Sequence, residues 1–112
     1  MAEISFDDFM KVDIRVGVVL RAEPFPQARN PSLKVWIDFG DDIGERKTSA
    51  QITDHYTADA LVGKNVMAVV NFPPRQIGPF MSEVLLLGVH DDKGAIVLLV
   101  PDQTVPAGGR MH

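Results

Sequence analysis

Short runs of alternating apolar and polar residues, separated by glycine and proline, constrain the fold of this chain most. Residues 12–20 place an apolar side chain at every second position, and residues 33–39 repeat the pattern. An alternation with a period of two predicts strands that bury one face. Gly17 lies in the middle of the first run, where it predicts a bend or a close approach of another backbone. A long first strand that bends at a glycine favours a small sheet that curls into a barrel.

The order of the predicted elements indicates the class of barrel. It is three strands, a short helix, two strands and one extra strand, which is the order of the five-stranded OB fold with added terminal extensions. We therefore predict an all-β fold with minor helices, and a core that spans about residues 13–88. The predicted strands are 12–20, 33–39, 45–52, 66–70, 84–87 and 96–100; the helices are 5–11 and 57–62; residues 23–31, 40–44, 71–81 and 101–112 are turns or loops.

Composition limits the function more than it identifies it. The 112 residues suit one domain, and the net charge of −4 means that nucleic-acid binding would need a local basic patch. The chain has no cysteine, no basic-then-apolar leader and no apolar run long enough for a membrane span, so we expect a cytoplasmic protein. His55, His90 and His112 lack metal-ligand spacing, so we expect no metal and no cofactor. Ser82-Glu83 has no accompanying nucleophile motif, so we expect no enzyme activity.

The segment 71–81 is the strongest candidate for a binding site. It combines Phe72, Phe80 and Arg75 with three prolines and a glycine, so rigid backbone presents two rings and one guanidinium. Such a loop can bind an apolar polypeptide or stack on bases. The alternative is that both phenylalanines fold back and fill the end of the barrel. The candidate ligand surface comprises Phe72, Pro74, Arg75, Phe80 and Ser82, with Trp36 and Arg46 as outlying members.

Several segments together resemble one family. Residues 13–19 (DIRVGVV), 48–52 (TSAQI), 71–75 (NFPPR), 80–88 (FMSEVLLLG) and 101–103 (PDQ) are similar to the tRNA-binding domain that several aminoacyl-tRNA synthetases carry as an appendage. They most resemble stand-alone bacterial members described as export-related chaperones. The resemblance implies an OB-fold core, a homodimer built with the terminal segments, and unfolded or precursor polypeptides as ligands, with tRNA as a second candidate. It also adds Asn71 to the candidate ligand surface.

The chain departs from the wider tRNA-binding pattern at three positions. Gln76 and Gly78 stand where tRNA-binding members tend to be basic, and Val84 stands where they carry a glycine. These differences make the loop more apolar and less attractive to phosphates, so they favour a polypeptide ligand over tRNA. Apolar surplus at both ends, in residues 1–12 and 89–112, predicts a twofold dimer.

Overall fold

Antiparallel strands form most of the chain, and the computed structural model describes all residues, 1–112. The helices are α1 (Phe6–Met10), α2 (Gly40–Ile43) and α3 (Ala58–Leu61). The strands are β1 (Ile14–Pro24), β2 (Leu33–Asp38), β3 (Glu45–Ala50), β4 (Asn65–Val69), β5 (Arg75–Ile77), β6 (Phe80–Ser82), β7 (Leu85–Leu86), β8 (Gly88–His90) and β9 (Ile96–Leu98).

Five of the strands form a nearly closed barrel in the order β3-β2-β1-β4-β7. Every neighbouring pair is antiparallel, and β1 is long enough to pair with β4 through its first half and with β2 through its second. The alternation in β2 is confirmed, because Leu33, Val35 and Ile37 are all buried. Phe39 and Leu61 of α3 complete a closed interior in which neither is measurably exposed. The predicted all-β, five-stranded OB-fold barrel is confirmed.

The buried face of β1 switches halfway along the strand. Ile14 and Val16 are buried as predicted, but Val19 is 1% exposed and Leu20 is 45% exposed. The expectation that residues 12–20 keep one buried face is therefore wrong. The core cluster contains Val19 but neither Ile14 nor Val16, and the Cβ position of Gly17 also faces core residues Ile37 and Phe39. The register shift in the pairing of β1 with β2 comes after Val19, between Val19 and Arg21, so it affects only the residues that follow.

Gly17 lies where β1 passes directly over the core, and this position leaves no room for a side chain. A Cβ atom built here would overlap Ile37 Cγ2 and would lie 2.8 Å from Phe39 Cε1. The predicted close approach at Gly17 is confirmed.

The helices are short, and their ends follow local side-chain chemistry. Ser5 and Asp8 form a reciprocal capping box at α1, and the Thr57 hydroxyl accepts a hydrogen bond from the Ala60 amide at α3. Gly63 has a φ of +85° just beyond α3, as the sequence predicts. The predicted turn at residues 40–44 is instead the one-turn helix α2. None of the three helices has the length and apolar character needed to cross a membrane.

Two hairpins lie outside the barrel sheet. Residues 71–81, predicted to be an irregular loop, contain most of the β5–β6 hairpin, in which Arg75 pairs with Ser82 and Ile77 with Phe80. Gly78 makes the turn with a φ of +54°. The predicted extra strand is confirmed as β9, but it pairs with β8 rather than with the barrel.

The C-terminal segment completes the exposed edge of β1. The Gly108 amide donates to the Val16 carbonyl, and the Val16 amide donates to the Gly109 carbonyl, so part of the tail predicted to be a loop pairs like a strand. The Asp13 carboxylate accepts a 2.6 Å hydrogen bond from Arg15 Nε and lies 3.5 Å from Arg110 Nε. The hydrogen bond from Arg15 holds the pKa of Asp13 below its ordinary value, and Asp13 in turn raises the pKa of Arg15.

Candidate binding cleft

Two adjoining clefts open where the barrel is incompletely closed. The gap between β3 and β7, which we call the seam, contains a cleft of about 820 Å³, the seam cleft. A second cleft of about 370 Å³, the Phe72 pocket, lies beside it under residues 72 and 73. The two clefts share Ser49, Arg75, Ile77 and Leu85 in their walls, so they form one continuous groove.

Side chains hold the seam together at one end. Thr48 Oγ1 donates a 2.8 Å hydrogen bond to the Val84 carbonyl and lies 3.1 Å from Ser82 Oγ. The Glu83 carboxylate accepts from the Lys47 amide, and the Glu83 amide donates to the Lys47 carbonyl. Ser82 and Glu83 therefore fasten β3 to the segment before β7.

The other end of the seam is open because the edge of β3 has no partner there. The Ser49 amide donates to Ser82 Oγ, and this is the last such bond along the strand. Two residues further on, the amide and carbonyl of Gln51 have no hydrogen-bond partner in the protein. On the opposite rim, the Leu87 amide donates to Met67 of β4, which directs the backbone of Leu86 towards the seam. The seam cleft thus has strand edges along both of its long walls.

The charged side chains around the seam cleft are unevenly balanced. Arg29, from the loop between β1 and β2, and Arg75 of β5 line the cleft, are exposed, and form no ion pair. Asp54 is the one carboxylate in the lining, and His90 lies at the far end. The cleft therefore offers two unpaired guanidinium groups to a ligand.

A hydrogen bond anchors the β8–β9 hairpin beside this far end. His55 Nε2 lies 2.7 Å from Asp91 Oδ2, and the other carboxylate oxygen accepts from the amides of Lys93 and Ala95. These bonds, that from His55 most of all, lower the pKa of Asp91. The hairpin is thereby held close to the loop that precedes α3.

The two phenylalanines of the predicted site have different environments. Phe72 is 53% exposed and lines the Phe72 pocket, as expected for a ligand contact. Phe80 is 7% exposed, so the expectation that its ring is presented to a ligand is wrong. The centre of its ring lies 5.5 Å from that of Phe25 and 5.9 Å from that of Trp36, to which it is edge-on. These contacts remove the ring from water.

The cluster around Phe80 covers the outer face of strands β1, β2 and β3. The Arg21 guanidinium carbon lies 3.7 Å from the centre of the Trp36 ring. Lys34 Nζ lies over the Phe25 ring, and Lys47 Nζ lies over the Phe80 ring. Trp36 lies off the buried face of β2, as predicted, but it lines neither cleft.

The structure does not bring the other predicted residues to one place. Asn71 Oδ1 accepts from the Asp13 amide and its Nδ2 donates to the Lys11 carbonyl, so this side chain fixes the segment before β1. Pro74 is exposed but lines neither cleft. Arg46 pairs in register with Ile37 and also lines neither cleft, because it lies on the opposite face of β3 from Lys47 and Ser49. Ser82, by contrast, lines the Phe72 pocket with Phe72 and Arg75, but it is only 9% exposed and its hydroxyl is engaged with β3.

Sequence reasoning missed the residues that form the walls of the seam cleft. Gln51, Ile52 and Leu86 belong to predicted strands, and the only indication of a binding site in these strands was the family resemblance. Strand periodicity could not show that β3 and β7 leave a gap, because the gap depends on the pairing of distant segments. No three histidine, aspartate or glutamate side chains converge in a way that would hold a metal ion.

A nearly closed five-stranded β-barrel with a cleft on its open seam places the chain in the OB-fold class. Residues 14–110 match the family described as "Putative tRNA binding domain". The chain belongs to this family.

Known proteins similar to the chain fall into two groups. The first consists of large enzymes: the methionine–tRNA ligase of Porphyromonas gingivalis is 38% identical over 97% of this chain, which spans only 16% of that enzyme. The second consists of small proteins that match end to end. The chaperone CsaA of Bacillus anthracis is 43% identical with a TM-score of 0.92, covering 99% of this chain and all of its own. The CsaA chaperone of Picrophilus torridus is 45% identical with a TM-score of 0.91, covering 98% of this chain and all of its own.

Proposed function

We propose that this chain is a non-catalytic chaperone that binds unfolded or precursor polypeptides. The observation that carries the proposal is the continuous groove formed by the seam cleft and the Phe72 pocket. Exposed Phe72 and Leu85 offer apolar contact along it, at 53% and 49% exposure. Burial of apolar area at roughly 25 cal/mol per Å² would supply most of the affinity before the costs of association. The full-length similarity to proteins named CsaA chaperones supports the chaperone role. The proposal also includes a link to protein export, which rests on the resemblance given by the sequence alone.

Arg75 orients the polypeptide in this proposal. It lines both clefts and has no ion-pair partner, so its guanidinium is available to a ligand carboxylate or carbonyl. A charge-assisted hydrogen bond of this kind adds direction to otherwise non-directional apolar binding.

The chaperone acts as a homodimer in this proposal. Apolar side chains remain exposed in both terminal regions, with Ile4 at 72%, Phe6 at 68%, Val89 at 56% and Val100 at 49%. A twofold partner that packs against both terminal regions would remove these side chains from water. Light scattering at micromolar concentration tests this, and a mass of 12.3 kDa would contradict it.

Aggregation and binding assays test the chaperone role. The protein should slow the aggregation of an unfolded, reduced and alkylated model protein, and it should bind that protein in an anisotropy titration. Phe72→Ala should weaken both effects, whereas Val62→Ala, which removes another side chain that is 54% exposed and lines neither cleft, should weaken neither. Equal behaviour of the two variants would contradict the proposed surface.

Binding of tRNA is the second candidate function, and a specific surface favours it. Arg21, Lys34 and Lys47 surround Trp36 on the outer face of β1 to β3, which is the face that OB-fold barrels use for nucleic acids. Glu23 partly neutralises this surface, lying 3.5 Å from Arg21 and 3.8 Å from Lys34.

Salt dependence separates the two candidates. Contact with about three phosphates gives a log–log slope of roughly −2 to −3, so tRNA binding should be weak at physiological salt. Polypeptide binding should change little over the same range, because apolar burial releases no condensed counterions. Glu23→Gln, which removes the carboxylate beside Arg21 and Lys34 and lies outside both clefts, should strengthen only tRNA binding. Tight tRNA binding at physiological salt without binding of unfolded chains would make tRNA the principal ligand.

A further inference from the structure

We propose that the open half of the seam binds one extended polypeptide segment as an added β-strand, paired with the edge of β3 at Gln51. This inference rests on the proposed chaperone function and names the form in which the ligand is held. It assigns the recognition to backbone hydrogen bonds rather than to side-chain contacts alone.

The edge of β3 carries the inference. Along β3 the outward-facing backbone groups of Lys47 are occupied by Glu83, and the amide of Ser49 is occupied by Ser82 Oγ. The series stops at Gln51, whose amide and carbonyl are unpaired at the wall of the cleft. In an antiparallel ladder these two groups would exchange a pair of hydrogen bonds with one residue of an incoming strand.

The protein's own chain already occupies the neighbouring part of this edge. The segment 82–84 lies against β3 and uses a main-chain bond, Glu83 to Lys47, together with side-chain bonds in place of a full ladder. An added strand would occupy the next part of the β3 edge, at Gln51, where the segment 82–84 has already turned away towards β7. Pairing with a free strand edge is a general mode of peptide recognition.

The charge and the walls of the cleft specify the kind of segment. Arg29 and Arg75 are unpaired, against the single carboxylate of Asp54, so acidic side chains are favoured. Ile77 and Leu85 line the same cleft and favour apolar side chains. Since side chains of a strand alternate between two faces, a segment with alternating apolar and acidic residues fits this site.

Backbone methylation tests the pairing without changing any side chain. The probe is a fluorescein-labelled seven-residue peptide in which leucine and glutamate alternate. Two derivatives carry N-methyl groups on alternate amides, one on the odd and one on the even positions. Only one of these sets can face the edge of β3, so one derivative should bind about tenfold more weakly and the other within about twofold of the parent. Equal binding or equal loss by the two derivatives would overturn the proposal.

Amide hydrogen exchange locates the pairing on the protein. Saturation with the parent peptide should slow exchange of the Gln51 amide at least tenfold, and the derivative that faces β3 should not. Protection of Gln51 by a single-stranded RNA oligonucleotide, or by raised protein concentration without peptide, would overturn the proposal in favour of nucleic acid or a second copy of the chain.

Charge reversal tests the acidic preference. Arg29→Glu and Arg75→Glu should each weaken the peptide by about threefold to tenfold. Lys64→Glu also replaces a positive charge by a negative one, but at the turn between α3 and β4, outside both clefts, so it should not weaken peptide binding. Binding of the unfolded model protein without binding of the peptide would overturn the strand pairing and leave the chaperone role intact. Failure of both to bind would instead remove the proposed function itself.

Discussion

Thr48 Oγ1 and Ser82 Oγ lie 3.1 Å apart in the interior, where Thr48 is 1% and Ser82 9% exposed. Each hydroxyl also bonds to backbone of the facing segment, Thr48 to the Val84 carbonyl and Ser82 to the Ser49 amide. This pair closes the barrel where β3 and β7 have no regular ladder. The closure of the barrel therefore depends on these two side chains together with the two hydrogen bonds between Glu83 and Lys47.

Thr48→Val should destabilise the fold. Valine keeps the shape of threonine but leaves the Val84 carbonyl without its partner and removes one of the two hydrogen bonds of the Ser82 hydroxyl, at a cost of about 1–3 kcal/mol. Urea unfolding measures the change. Ser49→Ala in the same strand, whose own hydroxyl makes no hydrogen bond, should stay within about 0.5 kcal/mol, and an equal loss there would contradict the role of Thr48.

Gly17→Ala should destabilise the barrel by overpacking its core. The new methyl group would overlap Ile37 and press on the ring of Phe39, at a cost of roughly 1–3 kcal/mol. Gly109→Ala is the matched control, because its Cβ would have no neighbour nearer than 3.6 Å. Thermal unfolding of both variants should show a lower midpoint for the first alone.

Phe72 and Phe80 should separate binding from stability. Phe80→Ala removes a buried ring and should cost about 2–4 kcal/mol of folding free energy. Phe72→Ala should leave the free energy of unfolding within about 0.5 kcal/mol and weaken polypeptide binding about fivefold. A destabilised Phe72→Ala protein with normal affinity per folded molecule would place this ring in the fold instead.

Acidic pH should remove the contribution of Asp13 to the stability of the fold. Its pKa is lowered by Arg15 from an ordinary value of 3.8, so the ionised carboxylate stabilises the fold above that value. The stabilisation is lost as the pH falls through the lower folded pKa. The thermal midpoints of the wild type and Asp13→Asn should differ at pH 7, and the difference should shrink as the pH falls below 3.8 and vanish below the lowered folded pKa. Asp92→Asn, an exposed turn residue without an ion pair, should show no such convergence.

The fold was predictable where one segment carries the whole signal. Leu33, Val35 and Ile37 alternate in the sequence and are buried in β2, and Ser5 and Thr57 mark the starts of α1 and α3. The burial of Val19 rather than Leu20 was not predictable, because it depends on the packing of β1 over Ile37 and Phe39, which come from another segment.

The site was predictable only in part, for a related reason. Arg75 and Phe72 line the groove, as their exposed loop suggested. The structural role of Ser82 was not predictable, because its partner Thr48 lies 34 residues away in the sequence and no local pattern indicates such a contact. Phe80 was misassigned because its partners Phe25 and Trp36 come from other elements.

The pairing of residues 108–111 with β1 has a consequence for synthesis on the ribosome. The first half of β1 receives its outer edge from residues that are made much later, including Met111, whose amide donates to the Ile14 carbonyl. Contacts across so much of the chain fold slowly. Until residues 108–111 have been made and have paired, the first half of β1 remains an unpaired strand edge, exposed to the same aggregation that a chaperone is expected to prevent in other chains.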